Sequence, residues 1–228
     1  YKKDLENFNK KDEFLENFLL ERSLLEERFE ESLVYIDNIL KLRPKRIDLY
    51  LVKSKIFFAQ SKFEESLYFL NVLEEKFSLF PEIYLLKAKI YFQQNKYEES
   101  LVEIEKEEKF NSVQVETLYL KGSIFLKQGN LDFSENFFKK SLEINPNYIG
   151  SLIGIANISE QRKNYPWALS IYNKIILLDP SLVEIYKSRG DLLILMGNRA
   201  TAIDDYRTYI DMNGFDKESI QKILSQLE

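Results

Sequence analysis

The chain has 228 residues, of which 45% are apolar and 30% charged, proportions that allow a continuous core beneath a charged surface. Its net charge of −5 is spread over the whole length, so there is no basic stripe to follow a phosphate backbone, and we expect no nucleic-acid binding. His and Cys are both absent, which removes the commonest general base, the commonest nucleophile, any disulfide and any thiolate metal site. We therefore expect no catalysis, no cofactor and no metal.

Two pairs of neighbouring carboxylates, Glu107-Glu108 and Asp204-Asp205, are the remaining candidates for acid–base chemistry. Adjacent residues on a helix point about 100° apart, so the two members of a pair do not face one another. Both pairs also lie beside Lys and Arg. We expect them to form a solvated, charged face.

The first twelve residues are charged, with Leu5 and Phe8 as the only apolar anchors, and they predict a short lead-in helix or a frayed tail. No apolar run is long enough to span a bilayer. Because the chain begins at Tyr1 rather than Met, two hypotheses stay open. Either a removed upstream anchor tethers a membrane-associated or periplasmic protein, which Tyr1-Lys2-Lys3 would suit, or the chain is a cytoplasmic fragment.

Residues 13–46 predict a helix pair of irregular sequence. The second helix is regular and ends before Pro44. In the first helix, Leu20 stands where a small residue is expected, and Glu26-Glu27-Arg28 stands where the turn is expected. This first helix is therefore a candidate to run on as one longer helix that caps the later helices.

Residues 118–147 predict two amphipathic helices joined by a tight turn. Leu118 and Gly122 fall on one stripe of the first helix. Gly129 supplies a residue that tolerates positive φ at the turn. Pro146 stops the second helix because it lacks an N–H and clashes with the preceding turn. Such a hairpin cannot bury its own apolar stripe, so it must stack on neighbours.

The same pattern recurs with a fixed, 34-residue period from Ile47 to the C-terminus, without insertion or deletion. Each first helix carries a small residue, and each second helix carries another small residue followed by a large apolar one. In order, these are Ser54, Ala88, Gly122, Ala156 and Gly190; Ser66, Ser100, Ser134, Ala168 and Ala202; and Leu70, Ile104, Phe138, Tyr172 and Tyr206. The periodicity predicts a lead-in and degenerate capping repeat over 1–46, five repeats over 47–80, 81–114, 115–148, 149–182 and 183–216, and a solvating helix over 217–228.

This pattern resembles the tetratricopeptide repeat family. The resemblance implies an all-α, right-handed superhelical solenoid of antiparallel helix pairs, with the first helices on the concave wall. The family often has Leu just before the first small residue, whereas this chain has Lys53, Lys87, Lys121, Ile155 and Arg189 there. Richness in Lys, Asn, Ile, Phe and Tyr is typical of a low-GC genome, so we expect a bacterial source.

A second apolar stripe accompanies the core stripe on the first helices, and the resemblance places it on the concave wall. With Lys55 and Lys89 between its members, and with Gly154 and Asn157 of the fourth repeat, the predicted partner-binding set is Leu51, Lys55, Phe58, Leu85, Lys89, Phe92, Tyr119, Leu126, Ile153, Gly154 and Asn157. Gly150 and Gly154 are expected to leave a dent between Tyr119 and Asn157.

Two interpretations of this stripe stay open. It either forms an apolar groove that binds a partner's helix or extended segment, or it is hidden by tight packing between repeats. We expect a non-enzymatic scaffold or adaptor for a protein partner, with a self-assembling homo-oligomeric module as the alternative.

Some members of the family clamp the C-terminal carboxylate of chaperones with Lys, Asn and Arg side chains on successive first helices. The matching positions in this chain hold Leu51 with Lys55, then Leu86, then Glu116 with Leu120. This is not a clamp. We expect no binding of chaperone tails.

Overall fold

The computed structural model describes residues 2–76 and 82–227, and within them the side chains of residues 14–76 and 82–227. The described residues form thirteen α-helices and no strands, which confirms the predicted all-α fold. The helices are α1 (Lys2–Leu25), α2 (Phe29–Leu42), α3 (Ile47–Ala59), α4 (Phe63–Lys76), α5 (Glu82–Gln93), α6 (Tyr97–Phe110), α7 (Val115–Lys127), α8 (Leu131–Ile144), α9 (Ile149–Gln161), α10 (Tyr165–Leu178), α11 (Val183–Leu195), α12 (Arg199–Asp211) and α13 (Lys217–Leu227). They divide between two compact units, unit 1 (Tyr1–Asn111) and unit 2 (Ser112–Glu228).

The turn inside each helix pair has the same backbone geometry in every repeat. One residue of each turn has positive φ: Glu27 (53°), Ser61 (58°), Asn95 (59°), Gly129 (77°), Lys163 (59°) and Gly197 (77°). The next amide bonds back to a carbonyl five residues earlier, as the Asn130 N–H does to Phe125 at 2.9 Å, and so satisfies the end of the first helix. Four of the six residues have a side chain that disfavours this conformation, so packing of the helix pair imposes the turn.

The N-terminal pair keeps this geometry despite its irregular sequence. The predicted lead-in helix is present, and it forms one helix, α1, with the residues after it. That helix nevertheless ends at Leu25 and the chain turns at Glu27, so the suggested run through this turn is wrong. Because Leu20 fills the small position, the Ser32 hydroxyl bonds Ser23 Oγ at 2.8 Å instead of the facing backbone. The predicted anchors Leu5 and Phe8 lie outside the described side chains.

The small residues allow each second helix to approach its first helix closely. In three repeats, the serine hydroxyl of the second helix donates to the carbonyl of the small residue on the first helix. These bonds join Ser66 to Ser54, Ser100 to Ala88, and Ser134 to Gly122, each at 2.8 Å. A Cβ atom on Gly122 would lie 2.6 Å from the Phe138 ring, which confirms that only a small residue fits there.

The cations that depart from the family pattern have partners on second helices. Lys53 Nζ lies 2.6 Å from Asp37 and 4.8 Å above the Phe69 ring. The side chain of Arg189 donates twice to Asp205, at 2.8 and 2.6 Å. The remaining pairs are Lys87 with Glu74 and Lys121 with the Phe137 ring. The departures are thus accommodated by pairing within each unit, which replaces the apolar contact that a Leu would make.

The C-terminal helix α13 has one apolar face, which covers the last helix pair of unit 2. Ile220 is buried against Tyr206 and Tyr209, with Leu224 and Leu227 packed beside it. The outward residues are Gln221, Lys222, Ser225 and Gln226, all exposed as the sequence predicts.

Candidate functional site

The predicted partner-binding residues of unit 1 lie on α3 and α5, but not all of them are accessible. Leu51 is only 7% exposed and belongs to the core cluster that contains Leu70, so its predicted place in a groove is wrong. Lys55 is exposed, and its Nζ lies 2.6 Å from Glu82 at the start of α5. Phe58 is half-buried. This region therefore keeps one apolar residue from α3 and a lysine that is paired with an acid.

The α5 part of the set is the more accessible one. Leu85, Lys89 and Phe92 are half-buried and recur at i, i+4 and i+7, so they share one face of the helix. The Phe92 ring also contacts Tyr97 across the turn, with the ring centroids 6.0 Å apart. We call Lys55, Phe58, Leu85, Lys89 and Phe92 together the unit 1 face.

The corresponding apolar residues of unit 2 pack against its core. Tyr119, Leu126 and Ile153 are half-buried and pack against the cluster that contains Phe138. The Tyr119 ring lies 6.0 Å from Phe138 and 5.5 Å from Tyr148. Of the set in unit 2, Asn157 is the residue that is exposed.

The dent predicted at Gly150 and Gly154 is not open. Gly154 is buried, and a Cβ there would overlap the Phe138 ring. A Cβ on Gly150 would lie 2.9 Å from the Tyr119 ring. Aromatic side chains of neighbouring helices therefore fill the space that the glycines leave.

Unit 2 instead carries acids that accept from buried phenols, which the sequence analysis missed. The Tyr206 hydroxyl donates to Asp191 at 2.8 Å, and Lys187 donates to the same carboxylate at 3.1 Å. The Tyr172 hydroxyl donates to Glu160 at 2.5 Å. Burial, followed by the hydrogen bond to the acid, raises the pKa of both phenols, so both stay protonated donors. The available signal was Tyr at a core position, because a buried phenol needs an acceptor.

The expectation that both carboxylate pairs form a solvated face is wrong for one member of each pair. Asp205 is buried beneath Arg189, and Glu107 is buried in α6. Burial raises the pKa of Glu107, although the amide of Asn111 donates to one oxygen at 2.6 Å. The other Glu107 oxygen has no hydrogen-bond partner among the described residues.

Other classes of site are not found in the part of the chain that the structure describes. No group of three or more Asp and Glu side chains there could hold a metal ion. Likewise, none of the helices in residues 2–76 and 82–227 is both long and apolar enough to cross a membrane.

Comparison with known proteins identifies two of the repeats. The tetratricopeptide repeat models match residues 81–106 and 115–148. A search of curated protein sequences finds no match.

Among solved structures, PilW, a widely conserved type IV pilus biogenesis factor, is similar with a TM-score of 0.76 at 16% identity, over 93% of this chain and 98% of PilW. A tetratricopeptide repeat protein from Parabacteroides merdae has a TM-score of 0.61 at 19% identity, over 93% and 98% of the two chains. YrrB, a repeat protein with an unusual peptide-binding site, has a TM-score of 0.55 at 16% identity, over 82% and 96%. At these identities the likeness shows the fold alone.

Helix pairs that recur at a fixed period make this chain an all-α repeat solenoid. Two of its repeats match tetratricopeptide repeat models by sequence, which supports membership of the tetratricopeptide repeat family. Proteins of this family are generally non-catalytic interaction modules, and the repeats indicate protein partners.

Proposed function

We propose that the chain is a non-enzymatic scaffold that binds a helix or extended segment of a partner protein through the unit 1 face. The observation that carries the proposal is the accessible stripe of α5. Six residues of this twelve-residue helix are already buried, yet Leu85 and Phe92 add apolar surface on a further face. A helix with apolar residues all round is normally covered on all sides. A partner would supply the missing cover.

The unit 1 face has the composition of a binding surface. Leu85 and Phe92 offer apolar anchors two turns apart, which suits a helix or strand laid across them. Lys55 and Glu82 form an exposed ion pair at its edge, where charged residues add specificity more than affinity. In unit 2, Tyr119, Leu126, Ile153 and Asn157 remain a proposed second contact region.

The test is quantitative capture of partners from an extract of the source cells by the wild-type chain and by Leu85→Glu. Because Leu85 is half-buried at the surface, the variant should stay folded, while the loss of an anchor should weaken the binding of specific partners. Tyr68→Glu, at an exposed site on α4, is the matched control and should keep those partners. Thermal melting shows that each variant is folded. A folded Leu85→Glu variant that captures the same partners as the wild-type chain would refute the proposal.

A homo-oligomeric module is the second candidate, and one observation favours it. Val34, Tyr68 and Val102 recur once per repeat on the second helices of unit 1, and each is more than half exposed. Such a row of apolar residues suits contact with another copy of the chain. Light scattering on a size-exclusion column separates the two functions. A stable oligomer that Tyr68→Glu dissociates favours self-assembly, and a monomer favours the scaffold.

A further inference from the structure

Helix α1 presents large apolar residues to solvent. Phe14 is 76% exposed, and Leu15 and Phe18 are each 54% exposed. The last two lie on the side of α1 away from its core residue Leu20, which is buried among residues of α2 and α3. Scattered exposed apolar residues are common, but three neighbours on one helix form a patch.

The repeat register explains what this patch corresponds to. Leu15 and Phe18 stand one full repeat before Leu49 and Val52 of α3. Leu49 is fully buried and Val52 half-buried, in a cluster shared with Ile36 and Ile39 of the preceding second helix, α2. In later first helices these positions are therefore covered by the second helix of the repeat before.

The next interface of unit 1 repeats the arrangement. Ile83 and Leu86 of α5, one further period along, are buried against Leu70 and Leu73 of α4. The covering helix again brings apolar residues three positions apart, as Ile36 and Ile39 are. The two interfaces thus share a template: a pair of apolar residues at i and i+3 seated on the two positions that α1 leaves bare.

We propose that the bare side of α1 is a docking site for an amphipathic helix of a partner, with apolar residues spaced as in the second helices of this chain. The site continues the stacking interface that α2 and α4 make within unit 1. A cleft of about 290 Å³ beside it is lined by Leu15, Glu16, Asn38, Lys41 and Leu42.

One polar atom beside this cleft lacks a partner. Asn38 donates to Glu16 Oε1 at 3.2 Å, but Glu16 Oε2 is buried without a hydrogen-bond partner among the described residues. A buried carboxylate oxygen that lacks a donor is costly.

A second copy of the chain fits the template less well. The last second helix, α12, is already covered by α13, which stands in the register of a first helix and ends the described residues. The outward residues of α13 are polar, as with Gln221 and Lys222. This polar side lacks the apolar pair at i and i+3 that the template requires, so a second copy that docked through α13 would not fit α1.

The experiment uses the sequence of α2 as the probe. A labelled peptide of residues 29–42, held helical by a staple across the exposed positions 30 and 34, is titrated with the full chain and followed by fluorescence anisotropy. We expect saturable binding that Phe18→Ser weakens at least tenfold. A peptide with Ile36→Asp and Ile39→Asp should not bind. Phe133→Ser, at an equally exposed site on α8, is the control and should leave the affinity unchanged.

Folding and oligomeric state are checked alongside binding. Because Phe18 is exposed, we expect circular dichroism to show that Phe18→Ser is folded. Phe14→Ser provides a second variant at the edge of the patch. Absence of saturable binding, or binding that Phe18→Ser does not weaken, overturns the proposal. So does a wild-type dimer in light scattering that Phe18→Ser dissociates, because the occupant would then be a second copy.

Discussion

Unit 1 and unit 2 build the same repeat interface from different side chains. In unit 1, Leu70 of a second helix and Leu86 of the next first helix share one core cluster. In unit 2, the positions in the same register hold Phe138 and Gly154, and the ring occupies the space that Leu86 fills in unit 1. The contact is kept, but the two helices contribute to it unequally in unit 2. A small residue on a first helix is therefore a sign of a large neighbour rather than of an empty site.

This difference also determines how accessible the first helices are. The rings of Tyr119 and Phe138 close over Gly150 and Gly154, which leaves little apolar surface free on α9. On α5, Leu85 and Phe92 lie beyond the core stripe and remain half-buried at the surface. The two units thus differ in how much apolar surface their first helices leave accessible, which is the property that a protein-binding surface needs.

The largest expected effect comes from placing the first-helix Leu of unit 1 into unit 2 while the large ring of Phe138 is kept. Gly154→Leu overlaps the Phe138 ring and should destabilise unit 2 by about 3 kcal/mol, despite the better helix propensity of Leu. Trp167, the only tryptophan of the chain, lies in α10 and reports on unit 2 by fluorescence during urea unfolding.

The double variant Gly154→Leu, Phe138→Leu recreates the Leu–Leu pair of unit 1 and is the critical comparison. It should be more stable than Gly154→Leu alone, with a coupling free energy of at least about 1 kcal/mol. Additive effects of the two substitutions would show that the residues at positions 138 and 154 are not coupled, which would contradict the comparison.

A second substitution tests the other side of the same ring. Gly122→Leu meets Phe138 within its own helix pair and should cost roughly 1–3 kcal/mol in the same urea experiment. Ser123→Leu, at the half-buried neighbouring position, is the control and should cost less. An unchanged unfolding midpoint for Gly122→Leu would mean that the close approach of α7 and α8 is wrong.

Buried Glu107 makes the stability of unit 1 depend on pH. Its pKa is raised in the folded state, so unit 1 loses stability as the pH rises from the unfolded pKa through the folded one. Glu107→Gln should remove this loss and stabilise the chain by about 1 kcal/mol at neutral pH. Urea unfolding followed by circular dichroism at several pH values measures the difference, with exposed Glu105→Gln as the control. An equal response of both variants would contradict the prediction.

The smallest effect concerns the turns, in which the two units are alike. Ser61→Gly in unit 1 and Lys163→Gly in unit 2 relieve a side chain at positive φ, and each should stabilise its unit by about 0.5–1 kcal/mol. Gln60→Gly, at φ −81°, lacks this relief and should not stabilise. Thermal melting checks all three. A gain at one turn but not at the other would show that the turns are not equivalent.

Most of the fold could be predicted because its signals are local. The regular spacing of Ser54, Ala88 and Gly122, and the turn at Gly129, follow from helix geometry and from the conformations that glycine allows. The turn at Glu27 could not be found in this way, since its side chain gives no sign of positive φ. The repeat register did place a turn at Glu26-Glu27-Arg28, and the structure shows that this register is a better guide there than residue preference.

The candidate site was harder to predict because it depends on what lies opposite each residue. Spacing alone shows that Leu51 and Leu85 share a register, but not that Leu51 is the more deeply buried of the two. It also cannot show that a ring from another helix fills the space beside Gly154.

One signal for such contacts does exist within the chain. In the second repeat Lys87 pairs with Glu74, but in the other four repeats the residue before the first small position contacts the residue sixteen further on. The pairs are Lys53 with Phe69, Lys121 with Phe137, Ile155 with Ile171, and Arg189 with Asp205, each a cation–ring, apolar or ionic contact.

The recurring turn makes the length of this chain adjustable in whole repeats. Gly129 and Lys163 hold the same backbone geometry and stand one period apart. A deletion of residues 130–163 would therefore join Gly129 to Asn164 across a junction that both flanking helices already accept. Duplication of the same segment would rejoin just as smoothly. Gene rearrangements that cut at this joint can lengthen or shorten the protein without inventing a new connection.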